Sequence, residues 1–243
     1  MVDAATRLYA RNHELLGAPP QGGEEEASFR AAMLGLSGRY TQAHRFLSDC
    51  PTFDVLELGC GSTALGKVFS PITRSYTMID IVEGRLEGAD QDNVRTIQAN
   101  LDDDWPVESE SIGVVLAMMV IEHLYDPFHA FSEVARVLKP RGRAFVNLPN
   151  IGSIKCRMDV LRGRLPNTSA PDWFERREWD GSHLHYFTVK SVRRIAELYG
   201  LALVAVDAVG NFARVKNLRP ELFCHEINYT VCKVPDPAQD RAI

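Results

Sequence analysis

The chain predicts an α/β domain built on a mostly parallel sheet, and three observations carry that expectation. Short apolar runs at residues 53–58, 76–79, 112–119 and 143–148 alternate with stretches of helical spacing. The first run ends in two closely spaced glycines, Gly59 and Gly61, ahead of a predicted helix. The second closes on Asp80, 21 positions after Gly59. At that spacing a carboxylate in a nucleoside-binding βαβ unit reaches the two ribose hydroxyls.

In chain order, residues 1–48 read as helix, interrupted by Gly17-Ala18-Pro19-Pro20-Gln21-Gly22-Gly23. The second helical stretch runs over about 24–48, and these helices either cap a site or pack on the sheet. Strand 53–58 follows, and Gly59 and Gly61 then remove Cβ atoms where backbone must turn sharply and pass close to a ligand. Residues 127–138 carry Phe128, Phe131, Val134, Ala135 and Leu138 at the three- and four-residue spacing of one buried helical face. Lys139-Pro140-Arg141-Gly142 stops that helix. Residues 190–199 form a helix with Val192, Ile195, Ala196 and Tyr199 on one face, ended by Gly200. Residues 201–209 and 227–233 are the last two strands, and the tail 235–243 is expected to fray. The resulting plan is a helical cap (1–48), a ligand-binding core (49–150), an insert (151–187), a helix and strand pair completing the core (188–234), and the tail.

Composition sets limits. With 243 residues the chain is long enough for one domain with a substantial core, and 45% hydrophobic with 24% charged residues marks a globular protein. No apolar run approaches a membrane span, and the first 21 residues lack the apolar centre of a signal peptide. The five cysteines, at 50, 60, 156, 224 and 232, form no CxxC pair or His/Cys cluster. That usage predicts a reduced, cytoplasmic setting and no metal. A net charge of −5 argues against a surface that coats nucleic acid. Oligomeric state stays open, a homodimer included.

The run Leu56-Glu57-Leu58-Gly59-Cys60-Gly61-Ser62 closely resembles the first motif of class I S-adenosylmethionine-dependent methyltransferases. Ile79-Asp80, Ala99-Asn100-Leu101, Ile121-Glu122-His123-Leu124, Arg136-Val137-Leu138-Lys139-Pro140 and Pro149-Asn150 follow in that superfamily's order, so that the likeness covers residues 50–210. The resemblance implies a Rossmann-like, seven-stranded, mostly parallel sheet whose last two strands form an antiparallel edge pair. It implies S-adenosylmethionine as cofactor and S-adenosylhomocysteine as product. Gly59 and Gly61 would approach the methionine part and the ribose, Asp80 would accept from the ribose hydroxyls, and Asn100 would face the adenine amino group. Leu101 would contribute a backbone N–H, Met118 would pack near the methionine end, and Cys60 and Ile81 would complete the cofactor set. Cys60 reads as a small filler rather than a nucleophile. Glu57 suits a cofactor with a cationic end, or anchors the loop from behind. The family's second glycine is replaced here by Arg141.

The insert 151–187 holds Lys155, Arg157, Arg162, Arg164, Arg176 and Arg177 together with Trp173, Phe174, Trp179, His183, His185, Tyr186 and Phe187. A segment this long inside a domain is usually functional. Its aromatics can enclose a substrate and its guanidinium groups can clamp phosphate or carboxylate. Arg157, Trp173, Trp179, His183 and Tyr186 are the substrate candidates. Leu148-Pro149-Asn150-Ile151-Gly152, Leu161-Arg162-Gly163-Arg164-Leu165-Pro166, Trp173, His183-Leu184-His185 and Thr188-Val189-Lys190 resemble the MetW-like branch. His183-Leu184-His185-Tyr186-Phe187-Thr188 is also similar to small methyltransferases of bacterial surface-glycan and natural-product pathways.

Glu122 and His123 sit just past the fourth strand, where reacting groups gather in this fold. A neutral imidazole there could take a proton from an acceptor hydroxyl, which favours O-methylation. His183 and His185 are rival bases, and being two apart they point to opposite faces if extended. Ubiquinone-type O-methyltransferases have a similar Glu-His pair with a further carboxylate three residues before the glutamate. Met119 occupies that place here, so that metal site is incomplete. The expected activity is methylation of a small-molecule or glycan-linked acceptor, a sugar nucleotide included, in a bacterial pathway. The first alternative is a MetW-like non-catalytic partner of an acyltransferase. The second is a nicotinamide-dependent oxidoreductase, because Gly59, Gly61 and Ala64 also satisfy the dinucleotide fingerprint.

Overall fold

A computed structural model of the chain describes residues 38–50, 52–61, 63–89, 91–169, 175, 177, 179–210 and 212–235. The helices expected before residue 38 and the tail beyond residue 235 lie outside the described residues. The elements in chain order are α1 (Arg39–Ser48), β1 (Asp54–Leu58), α2 (Ala64–Phe69), β2 (Ser75–Asp80), β3 (Val94–Gln98), β4 (Ile112–Met118), α3 (Pro127–Val137), β5 (Leu138–Pro149), α4 (Ile154–Leu161), α5 (Val189–Leu198), β6 (Leu201–Ala208) and β7 (Glu226–Lys233). Four-residue helices at Ala213–Lys216 and Pro220–Phe223 join β6 to β7.

The seven strands lie in the order β3-β2-β1-β4-β5-β7-β6. All pairs from β3 to β5 are parallel, and β7 runs antiparallel to both β5 and β6. The chain winds outward from β1 in one direction and from β4 in the other. The crevice beyond the carboxyl ends of these two strands is where an open α/β sheet binds its ligand. Leu58, at the end of β1, pairs with Ile79 on one side and Ala117 on the other, bringing three strand ends together. Buried on both faces, β4 reads as a nearly continuous apolar run, Ile112-Gly113-Val114-Val115-Leu116-Ala117-Met118. The edge strand β3 is short and half-exposed.

Two apolar layers cover the sheet. Phe131, Val134, Val192 and Ile195 bring α3 and α5 onto one face, while Leu47, Phe69, Tyr76 and Phe145 pack α1 and α2 against the other. Helix α3 starts where Asp126 accepts from the Phe128 and His129 N–H groups and Pro127 fills the first turn. Its buried face is Pro127, Ala130, Phe131, Val134 and Val137, which differs from the expected one. Phe128 lies in the first turn and is 46% exposed, and Leu138 already belongs to β5. Arg141 takes φ +66° where the pairing of β5 with β4 jumps register from Ile112/Leu138 to Val114/Arg143, the left-handed conformation that a glycine would suit. Helix α5 opens with a reciprocal cap between Thr188 and Ser191.

Glu133 is the buried polar group on the inner side of α3. It accepts from Arg136 Nε (2.6 Å), Arg136 Nη2 (2.7 Å) and the Trp105 N–H (2.8 Å). Arg136 also donates to the Trp105 and Val107 carbonyls, so the pair ties the β3–β4 connection to α3. Burial pushes the Glu133 carboxyl up, but these donors outweigh it and hold it below the usual carboxylate range. Glu133→Ala should lower stability at pH 7 by about 1–3 kcal/mol, because buried donors lose their acceptor. A carboxyl with a depressed folded pKa stabilises above its unfolded pKa and stops doing so as pH falls through the folded one. Urea denaturation of both proteins at pH 7 and pH 3 should therefore show the deficit shrinking in acid.

Candidate functional site

The glycine loop leaves β1 and folds against the turn that follows β4. Gly59 has φ +58°, and a Cβ there would lie 2.5 Å from Val120 Cγ2. Gly61 has φ +65°, and a Cβ there would meet nothing within 4 Å, so open space lies beside it. The Cys60 N–H donates to the Ile79 carbonyl (3.2 Å), and the Gly61 N–H donates to Asp80 Oδ2 (3.0 Å). Asp80 Oδ1 accepts from the Val82 N–H (2.9 Å), and Arg85 lies 3.6 Å from Oδ2. Asp80 is thus held at the end of β2 by backbone on both sides. Each of its oxygens has further lone-pair capacity for a ligand hydroxyl.

Glu57 is buried, and its Oε2 accepts from the Tyr76 hydroxyl at 2.9 Å. Burial raises its pKa to about 8, the Tyr76 bond opposing that and the Asp80 charge adding to it. The Tyr76 hydroxyl thus fixes one oxygen of Glu57 between β1 and β2. Burial also pushes the Cys60 thiol up, which suits a filler and not a nucleophile. Asn100 Oδ1 accepts from the Asp102 N–H (3.2 Å), the buried Leu101 gives its carbonyl to Trp105 Nε1 (3.2 Å), and Ile81 receives Gln98 Nε2 at its carbonyl (3.3 Å). Met118, half-buried, ends β4.

Beyond β4 the backbone turns through Met119, a non-glycine residue at φ +55°, into a 3-10 turn, Ile121–His123. This turn buries Glu122 completely, and neither carboxylate oxygen has a hydrogen-bond partner. Desolvation raises its pKa to about 8. Neither Glu122 nor His123 caps the following helix, because Asp126 does.

The Glu122 carbonyl accepts from the Leu184 N–H (2.8 Å) and the His185 N–H (3.2 Å), docking the insert on this turn. That docking brings His183 to Glu122 and His123, so that one ligand atom from each lies within 4.8 Å of the others. The two imidazoles meet edge to face, with ring centroids 4.8 Å apart. His123 Nδ1 lies 3.2 Å from the Ser182 carbonyl, which can only accept, so Nδ1 carries the proton and the lone pair is on Nε2. Thr168 Oγ1 donates to Asp180 Oδ2 (2.7 Å) and lies 2.8 Å from His183 Nδ1. With its one proton committed to Asp180, the hydroxyl accepts from His183 Nδ1, which again leaves the lone pair on Nε2. Asp180 is also held by the Thr168 and Ser169 N–H groups and the Ser169 hydroxyl. Burial would raise its pKa, and these donors bring it below the usual range. Burial, then the neighbouring His123, lowers the His183 pKa to about 4, so this ring is neutral at neutral pH.

His185 turns away, with Nε2 3.1 Å from the Tyr125 carbonyl. Trp179 (60% exposed) and Tyr186 (42% exposed) present ring surface to solvent, and Arg157 Nε donates to the Gly152 carbonyl at 2.7 Å. Trp173 lies outside the described residues. Thr168, Asp180, Tyr76 and Val120 escaped the sequence reading, since no spacing links them to the motifs they support. Gly59→Ala should cost about 2–4 kcal/mol, from the left-handed φ and the clash with Val120 together. Gly61→Ala carries only the first cost, about 1–2 kcal/mol. Denaturation midpoints that fall equally would rule out the Val120 contact as the cause.

A family model described as a methyltransferase domain matches residues 3–206. A probable S-adenosylmethionine-dependent methyltransferase of Mycobacterium tuberculosis is 33% identical over 108 residues, 44% of this chain and 39% of that protein. The chain therefore spans less than half the length of the mycobacterial relatives it matches. A ubiquinone biosynthesis O-methyltransferase of Xanthomonas campestris is 23% identical over 194 residues, 76% of this chain and 77% of its own. Among solved structures, an S-adenosylmethionine-dependent methyltransferase from Mesorhizobium loti shares the fold with a TM-score of 0.62 at 14% identity, over 82% of this chain and 99% of its own. With a glycine loop at the carboxyl end of a seven-stranded sheet and a family match over most of its length, the chain belongs to the class I S-adenosylmethionine-dependent methyltransferases.

Proposed function

We propose that the protein methylates an oxygen of a small-molecule or glycan-linked acceptor, in a cytoplasmic bacterial biosynthetic pathway. The observation that carries this reading is the Glu122, His123 and His183 cluster beside the turn that touches the glycine loop. Bound at that loop, S-adenosylmethionine supplies an electrophilic methyl group. Asp80 would hold its ribose hydroxyls, Gly59 and Gly61 would admit it close to backbone, and Asn100 and Leu101 would face its adenine. Glu57 would brace the loop through Tyr76. The acceptor hydroxyl would give up its proton at the cluster, where both imidazoles keep their lone pairs on Nε2. The printed name of the Xanthomonas relative, an O-methyltransferase, supports oxygen as the methylated atom. The insert 151–187 would act as a lid, with Trp179 and Tyr186 as an aromatic wall and its basic residues favouring an anionic acceptor such as a sugar nucleotide.

Among the described residues no helix is long and apolar enough to cross a membrane, and Cys50, Cys60, Cys156, Cys224 and Cys232 are free thiols. Calorimetric titration with S-adenosylmethionine and S-adenosylhomocysteine should show micromolar binding, weakened about tenfold or more in Asp80→Ala. With sugar nucleotides and small hydroxylated acceptors, labelled methyl should appear in the acceptor, and His123→Ala should slow that transfer by about 10²–10⁴-fold. Binding without turnover, together with a co-purifying acyltransferase, would favour the non-catalytic partner. Absence of binding by either ligand overturns the proposal.

A further inference from the structure

We propose that Glu122, His123 and His183 form the binding site of one divalent first-row transition-metal ion, with the acceptor oxygen in its open coordination position. That this oxygen belongs to a methyl acceptor rests on the reading above; the ion site stands on its own ligands.

The donor atoms lie within 4.8 Å of one another. A first-row ion with bonds of about 2.1 Å holds its ligands about 3–4 Å apart, so the site closes on an ion by shifts of about 1 Å. The second observation is independent of that spacing. Glu122 is completely buried, yet both carboxylate oxygens are without a hydrogen-bond donor. Buried carboxylates are normally satisfied, and an orphan of this kind points to a cation or another missing partner. The charged groups whose fields reach Glu122 are Arg39 and Glu226, and they are paired with each other at 3.0 Å.

The surroundings of the two imidazoles have the form of a second coordination layer. The Ser182 carbonyl holds His123 Nδ1, and Thr168, backed by Asp180, holds His183 Nδ1. Each ring is set in the tautomer that presents Nε2 as donor atom. Two imidazoles with one carboxylate select a transition metal over magnesium or calcium, which prefer oxygen ligands throughout. Three protein ligands leave at least one position for an exogenous oxygen. With both Nε2 lone pairs given to the ion, the imidazoles no longer serve as the base, and a hydroxyl bound there would be acidified by the ion and lose its proton to solvent water. This reverses the sequence expectation of no metal, because His183 lies 60 residues from His123 and only the fold unites them.

The full-length chain, stripped with a chelator, is titrated with Co²⁺ and with Zn²⁺ by calorimetry, and the Co²⁺ form is read by its visible absorption. One ion per chain should bind, with Co²⁺ bands that Zn²⁺ abolishes. Affinity should fall about 100-fold or more in Glu122→Gln and His183→Ala, and about tenfold in Thr168→Val, whose hydroxyl only orients a ligand. His129→Ala, remote from the cluster, should bind as wild type. S-adenosylmethionine titration of the same samples shows whether each variant is folded. No ion binding, or weak binding that the variants leave unchanged, overturns the metal site. If S-adenosylmethionine still binds in that case, the methyltransferase reading survives. An ion bound by the wild type and lost in the variants, with no S-adenosylmethionine binding, would keep the metal site and remove its proposed substrate.

Discussion

The contact between Gly59 and Val120 is the constraint on which the site depends. Backbone from the end of β1 lies so close to the turn after β4 that any Cβ at residue 59 would overlap the Val120 side chain. That approach sets the glycine loop against the segment that carries Glu122 and His123 two and three residues further on. In an open α/β sheet this is the place where the winding reverses, and the crevice there belongs to no single element. The carboxylates on either side are treated differently. Asp80 is held by the Gly61 N–H of the loop and by the Val82 N–H beyond its own strand, whereas Glu57 is sealed behind the strand against Tyr76.

A second dependence runs through the insert. It is linked to the core by backbone hydrogen bonds from Leu184 and His185 to the Glu122 carbonyl, and by the imidazoles of His123 and His185 at the Ser182 and Tyr125 carbonyls. Within the insert Asp180 gathers the donors of Thr168 and Ser169, and residues 180–182 all take positive φ. A turn in that conformation is costly for Asp180 and Ser182 and is sustained by the hydrogen bonds it makes possible. The outcome is a histidine from a loop held with the definition of a residue in a strand. Such preorganisation is what a site needs to hold reacting groups in one geometry.

Helix α1 closes the same end of the sheet from the other side. Arg39 pairs with Glu226, Gln42 donates to the Ala208 carbonyl, and Asn228 bonds to both Gln42 and Asn147. These contacts tie the start of the described chain to β5, β6 and β7 near their site-facing ends. The antiparallel strand β7, lying between β5 and β6, makes this possible by bringing Glu226 and Asn228 to that edge.

Local chemistry made much of the fold legible. The glycine loop, Asp80, the apolar strands and the helical stretch at 127–138 follow from periodicity and from backbone conformations that few residues tolerate. Both are properties of adjacent residues. Phe128 departs from the predicted face, because the face that packs on the core runs through Pro127, Ala130, Phe131, Val134 and Val137 and leaves Phe128 to solvent. Alternation showed that His183 and His185 would face apart, but not which of them would turn inward. That choice was made by the Thr168 and Asp180 bonds and by docking on Glu122. The sequence by itself determined a class I methyltransferase sheet and the glycine loop at the end of its first strand. Only the tertiary structure decided that Glu57 lies behind the loop and that Glu122, His123 and His183 converge, since both outcomes rest on contacts between segments whose separation in the chain carries no signal.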